Sequence, residues 1–156
     1  MRTAILFSIL IIFTLMGCNF GDGNILIVPK NFKGYIVIIY DQKAGLLPKR
    51  HGNKTVYEIP DDGILKVQTE VNSGWREPNE YYYEKIAPEN KLPSYDVAKE
   101  MPTGLTVGFE GAFGNANKDL AGNERIPFSL FYIGTKSEIE QYKDQAEKLD
   151  IVKLAE

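Results

Sequence analysis

Short apolar runs separated by turn chemistry recur along the chain. "ILIVP" (25–29) and "YIVIIY" (35–40) are continuous rather than alternating, and rich in β-branched residues. That is the pattern of central strands covered on both faces. "TVYEI" (55–59) and "ILKVQT" (64–69) flank "PDDG". There Pro60 sets φ, Asp61 and Asp62 tolerate the bend, and Gly63 takes a positive φ, so the two runs are expected to pair as a hairpin. "EYYYEKI" (80–86), "LTVGFEGAF" (105–113) and "RIPFSLFYIG" (125–134) read as further strands. Pro127 is expected to place the last one at an edge or to give it a bulge. The segments 41–54, 70–79 and 114–124 read as loops. The three-proline stretch 87–104 reads as an excursion with room for one helical turn after Ser94.

The pattern changes at the end. In "TKSEIEQYKDQAEKLD" (135–150), Ile139, Tyr142, Ala146 and Leu149 form one apolar stripe at helical spacing. Thr135 and Glu138 stand at capping-box spacing. No internal repeat is evident. The chain is therefore expected to be mainly β: an antiparallel β-sandwich of about six or seven strands with one C-terminal amphipathic α-helix over 136–149. An open sheet backed by that helix is the alternative.

Residues 4–16, "AILFSILIIFTLM", form an uncharged apolar run preceded by Arg2. At 1.5 Å per residue it spans roughly 20 Å, short of the ~30 Å core of a bilayer. That length suits the core of a signal peptide. Leu15, Gly17 and Cys18 follow the spacing of the bacterial lipobox, which the segment resembles; Met16 departs from the usual Ala or Ser. The resemblance implies a lipoprotein signal peptide over 1–17, cleavage before Cys18, and a diacylglycerol on its sulfur, with palmitate among the acyl chains. An ordinary secretory signal or an uncleaved anchor are the other readings. Residues 18–24 would be the lipidated cysteine and a flexible tether, and 25–156 a single β-rich domain. The tether 19–24 reaches only about 20 Å when extended, so the domain would sit close to the membrane.

Cys18 is the only cysteine, so once acylated it leaves no thiol for a disulfide. The net charge is −3 with no basic block, and nucleic-acid binding lacks its electrostatic footprint. His51, the only histidine, lies in a basic glycine-containing loop. A serine-type triad or a zinc site thus lacks its usual residues, and no Gly-rich phosphate motif occurs. Asn115, Asn117 and Asp119 have the 1-3-5 spacing of an EF-hand. Leu120 then stands where Gly is needed and Ile126 where Glu is needed, so the motif fails. No metal or cofactor is expected. A carboxylate pair for glycoside hydrolysis is recognised only by its separation in space.

The remaining candidates are aromatic. Trp75, Tyr81 and Tyr83 are a candidate binding platform for a glycan or a protein. Tyr81 and Tyr83 share one face of a strand and Tyr82 the other. The competing reading sends one face into the core and the other to the surface.

Pro29, Phe32, Gly34, Tyr57, Ile59, Pro60, Gly63, Ile64 and "FYIGTK" (131–136) resemble the pattern of a family of uncharacterised bacterial lipoproteins. That resemblance implies location and fold rather than an activity. The hairpin-like "Y-x-I-P" segment is also similar to transthyretin-like accessory domains. The expectation is a non-enzymatic binding module in the bacterial cell envelope. It would be held to a membrane through lipid on Cys18 and would take a protein or glycan partner. A structural or assembly lipoprotein without a ligand is the alternative, with an envelope-polymer hydrolase behind it.

Overall fold

Pro29 and Pro60 each end a strand of one sheet and start a turn that delivers the chain to a second sheet. In the computed structural model, which describes residues 23–71, 77–96, 100–119 and 122–156, strand β1 (Asn24–Val28) passes through that turn into β2 (Gly34–Ile39). After the short edge strand β3 (Lys49–His51), β4 (Lys54–Glu58) does the same into β5 (Ile64–Lys66). The two turns are closed alike, by Phe32 N–H on Pro29 O and by Gly63 N–H on Pro60 O, both at 3.0 Å. The two strand–turn–strand units lie side by side, so β1 runs parallel to β4 and β2 parallel to β5. This is a structural repeat that the sequence reading missed. It also corrects the expected hairpin: the turn chemistry at 60–63 is as read, but β4 and β5 lie in different sheets.

The remaining strands are β6 (Glu80–Tyr83), β7 (Lys91–Leu92), β8 (Ser94–Tyr95), β9 (Val107–Asn117) and β10 (Arg125–Gly134). A 3-10 turn at Pro88–Asn90 precedes β7, and Ser94 begins a strand where a helical turn was expected. The first sheet has the order β3-β4-β1-β6-β7 and the second β5-β2-β10-β9-β8. The architecture is thus the expected mainly β, two-sheet one, with mixed rather than mostly antiparallel pairing and more, shorter strands. β10 has the bounds read from the sequence. It is a central strand, however, and its irregularity falls between Ser129 and Phe131 rather than at Pro127. Asn115 and Asn117 belong to β9, which extends through the expected loop by pairing with β10.

Helix α1 (Lys136–Ala146) follows at once, and α2 (Ile151–Ala155) is a second, short helix. The expected single helix to 149 is therefore split. Asp150 accepts from the Lys153 N–H at 3.1 Å and caps the second piece. Both helices cover the outer face of the second sheet. Ile139 and Ala146 pack with Val107, Phe109 and Tyr132, while Ile151 packs with Val37 and Ile39. The other face of β2 enters the inter-sheet core through Ile36 and Ile38. Coverage on both faces is why "YIVIIY" is apolar without a break.

Candidate functional site

The aromatic candidates separate by face. Tyr81 is fully buried between the sheets, its ring 6.5 Å from Phe131 in an edge-on arrangement. Gly108 makes room for it: a Cβ there would lie 2.1 Å from the Tyr81 Cγ. Tyr83 packs against the same core and its hydroxyl donates to Phe32 O at 3.3 Å. Tyr81 and Tyr83 thus share a face, as strand alternation requires, but that face is the core. Tyr81 is therefore not open to a ligand, and Tyr83 is half-buried against the core. Trp75, Cys18 and the segment 1–17 lie outside the described residues.

Tyr82 points the other way, onto the outer face of the first sheet with Ile25 and Val56. A charged layer covers these side chains. Glu80 accepts from the Tyr82 hydroxyl at 2.5 Å and from Lys91 at 2.7 Å, and it pairs with Lys54. Against the upward push of burial, the hydrogen bonds from Lys54, Lys91 and Tyr82 hold the Glu80 carboxyl down at about 2. Lys54 bonds Glu77 as well, at 3.2 Å. Glu138 is the other strongly shifted carboxylate. Hydrogen bonds from Lys33 and from the Thr135 backbone hold it near 2. Both carboxylates stay ionised throughout the neutral range and are committed to lysine partners.

The apolar surface lies elsewhere, in the segment 41–54 read from sequence only as a loop. Residues 41–48 cross from the edge of the second sheet to the edge of the first. The loop is pinned along β5. Gln42 N–H donates to Val67 O at 2.9 Å, Leu46 N–H to Lys66 O at 2.8 Å, and Gln68 N–H to Leu46 O at 3.0 Å. The Gln68 amide adds a bond to Gly45 O at 2.9 Å. Gly45 is required there, since a Cβ would lie 2.7 Å from the Val67 nitrogen. The loop so held presents Leu46 and Leu47 at 63% and 72% exposure. With Pro48 they rim a cleft of about 250 Å³ whose floor includes Tyr57, Leu65 and Val67. Rigidly displayed leucines of this kind mark an interaction surface more often than scattered apolar residues do.

Basic side chains surround them. Lys43 is exposed at the tip of the turn closed by Gly45 N–H on Gln42 O, 2.8 Å. Lys49 meets Glu58 at 2.7 Å in a wholly exposed pair. Arg50 braces the β3–β4 turn through Thr55 Oγ1 at 3.1 Å and Asn53 O. His51 is exposed on the same edge strand. The sequence signal was present in "LLPKRH" (46–51), two leucines set in a basic, proline-containing loop, but periodicity has nothing to register in so short a run.

A second groove, of about 650 Å³, is lined by Lys43, Lys118 and Arg125 together with Asp41, Glu124 and Glu156. Its charges offset one another, as in the Lys118–Glu124 pair at 3.2 Å. Asp119, the third residue of the failed EF-hand spacing, accepts from the Asn123 N–H at 2.9 Å and closes a turn. Among the described residues no group of three or more His, Cys, Asp or Glu side chains is gathered as metal ligands would be. No helix among them is long and apolar enough to cross a membrane.

Residues 21–143 match the model of a family of unknown function, DUF6843. No curated protein matches the chain. The fold is similar to that of a crystal structure named "Putative Lipoprotein from Bacillus anthracis", with a TM-score of 0.51 and 13% identity, over 72% of this chain and 70% of that one.

Proposed function

The chain belongs to DUF6843, a family of unknown function, and we propose that it is a lipid-anchored, non-enzymatic lipoprotein of the bacterial envelope, with the Leu46–His51 edge as its binding surface. The observation that carries this reading is the pinned display of Leu46 and Leu47 beside an apolar cleft. Two adjacent leucines held outward beside an apolar cleft form a contiguous patch, the kind of surface on which partners bind. The anchor rests on the lipobox at Leu15, Gly17 and Cys18. The fold shared with a protein named as a lipoprotein agrees with it.

Two features support a non-catalytic role. The strongly shifted carboxylates, Glu80 and Glu138, are pushed toward permanent ionisation, away from the values that proton transfer at neutral pH requires. The cleft is bounded mainly by apolar side chains, with Lys49 and Glu58 at its margin already paired.

Photo-crosslinking from position 47 in intact envelopes tests the reading. The expected result is a crosslinked envelope component, lost in a Leu46→Ser, Leu47→Ser background whose melting temperature is unchanged. A position 47 that reacts only with solvent in the intact envelope would favour the structural lipoprotein without a ligand.

A further inference from the structure

The edge carries enough chemistry to name the class of its partner. The exposed cations Lys43 and Arg50 flank the two exposed leucines, with Lys49 paired to Glu58 and the neutral His51 beside them, on a chain whose net charge is −3. Apolar side chains with cations around them are the combination that enters the headgroup region of an anionic bilayer. The leucines take up the acyl boundary and the cations meet lipid phosphates. Backbone pairing with an extended peptide is already blocked on the β5 side, because the loop's own Leu46 occupies the hydrogen-bonding positions of Lys66 and Gln68. What remains on offer there is side chain, as a lipid surface requires.

Chain connectivity points the same way. Gly23 O accepts from the Thr55 N–H at 3.3 Å, and Asn24 is in register with Thr55. His51 is in register with Lys54, the residue before it. The chain therefore enters β1 near the β3–β4 turn, with β4 between it and the basic edge strand β3. The residues left as a tether, 19–22, extend at most about 14 Å from there.

We propose that the Leu46–His51 edge lies on the anionic surface of the bilayer that carries the Cys18 anchor, so that the domain is held in one orientation rather than swinging on its tether. This rests on the lipid-anchored reading above. It replaces a protein or glycan at this edge by the membrane itself and leaves the opposite edge of the first sheet, beside the β6–β7 connection Glu84–Asn90, away from the bilayer.

The test uses the acylated protein, purified from membranes and reconstituted into vesicles of phosphatidylcholine alone or with phosphatidylglycerol. An environment-sensitive dye is placed at Leu47→Cys or, as the distal control, at Glu89→Cys. The expected result is a blue-shifted emission at position 47, quenched by spin-labelled lipid, in phosphatidylglycerol vesicles and not at position 89. Lys43→Ala should lower the ratio of inserted to free label by roughly fivefold, the worth of one surface cation at an anionic membrane. A protein that stays on the vesicles with position 47 in water overturns this inference alone. A protein that leaves the vesicles with its dye in water overturns the anchor and this contact together. A blue shift that needs no vesicle and grows with protein concentration assigns the edge to a second copy and overturns it too.

Discussion

Lys33 and Glu138, 105 residues apart in the chain, meet at 2.8 Å and join the β1–β2 turn to the first turn of α1. The same carboxylate accepts from the Thr135 N–H at 2.8 Å and from its hydroxyl at 2.9 Å, so one side chain caps the helix and ties it to the sandwich. Glu138→Ala should cost about 1 kcal/mol, the usual worth of a lost cap. Glu138→Gln should cost less, since the amide oxygen still caps.

The acid limb of stability separates those two variants from wild type. Glu138 and Glu80 both lie near 2 in the folded chain. Their contribution is therefore complete above the unfolded carboxylate value and is lost as pH falls toward 2. Urea midpoints measured from pH 6 down to pH 2.5 should drop less steeply for Glu138→Gln than for wild type. Parallel curves would mean that the pair with Lys33 is not formed in solution.

Gly108 and Tyr81 offer a packing test across the two sheets. The methyl of Gly108→Ala would overlap the Tyr81 ring, which is fully buried. Gly108→Ala should cost at least about 2 kcal/mol, within the range for overpacked cores. In a Tyr81→Leu background the same change should cost much less, a coupling that a double-mutant cycle reads directly. Additive costs would place the ring elsewhere.

At the β4–β5 turn, Gly63 has φ +76 and a Cβ would lie 2.4 Å from Tyr35 O. Asp62 accepts from the Ile64 N–H at 3.0 Å. Gly63→Val should therefore cost more than Asp62→Ala by roughly 1 kcal/mol or more, and Asp61→Ala should be close to neutral. Chemical denaturation of the three variants checks the order.

Ile139 is fully buried beneath the second sheet, while Leu149, beyond the end of α1, is half-buried. Ile139→Ala should cost about 2–4 kcal/mol and Leu149→Ala clearly less. Lys136→Ala should melt as wild type. A tolerated Ile139→Ala would mean that the helix does not depend on the sheet for its stability, against the expectation for so short a helix.

These elements show what was legible in the sequence. Local chemistry was: the bounds of β10, the strand pattern of "YIVIIY", the Thr135–Glu138 cap and the positive φ at Gly63 all follow from short-range preferences. Pairing partners were not. Whether the turn at Pro60 folds β5 back on β4 or sends it to another sheet depends on what lies beside β2, and Val37 pairing with Ile64 is a contact no local window contains. β9 continues through "GNAN" because β10 offers partners. Small residues are needed there, since a Cβ at Gly111 or Gly114 would press on Tyr132 or Phe128. Tyr81 and Tyr83 could be placed on one face but not assigned to the core. Leu46 and Leu47 became visible only when the loop carrying them was seen pinned outward.

The anchored account stands most directly on one measurement, the chemistry at Cys18. Cells given a palmitate analogue should yield labelled wild-type protein, and mass spectrometry should find a mature chain beginning at an acylated Cys18. Cys18→Ser should take up no label while its domain melts at the wild-type temperature. A wild-type chain without acyl modification, or a labelled Cys18→Ser protein, would contradict the account.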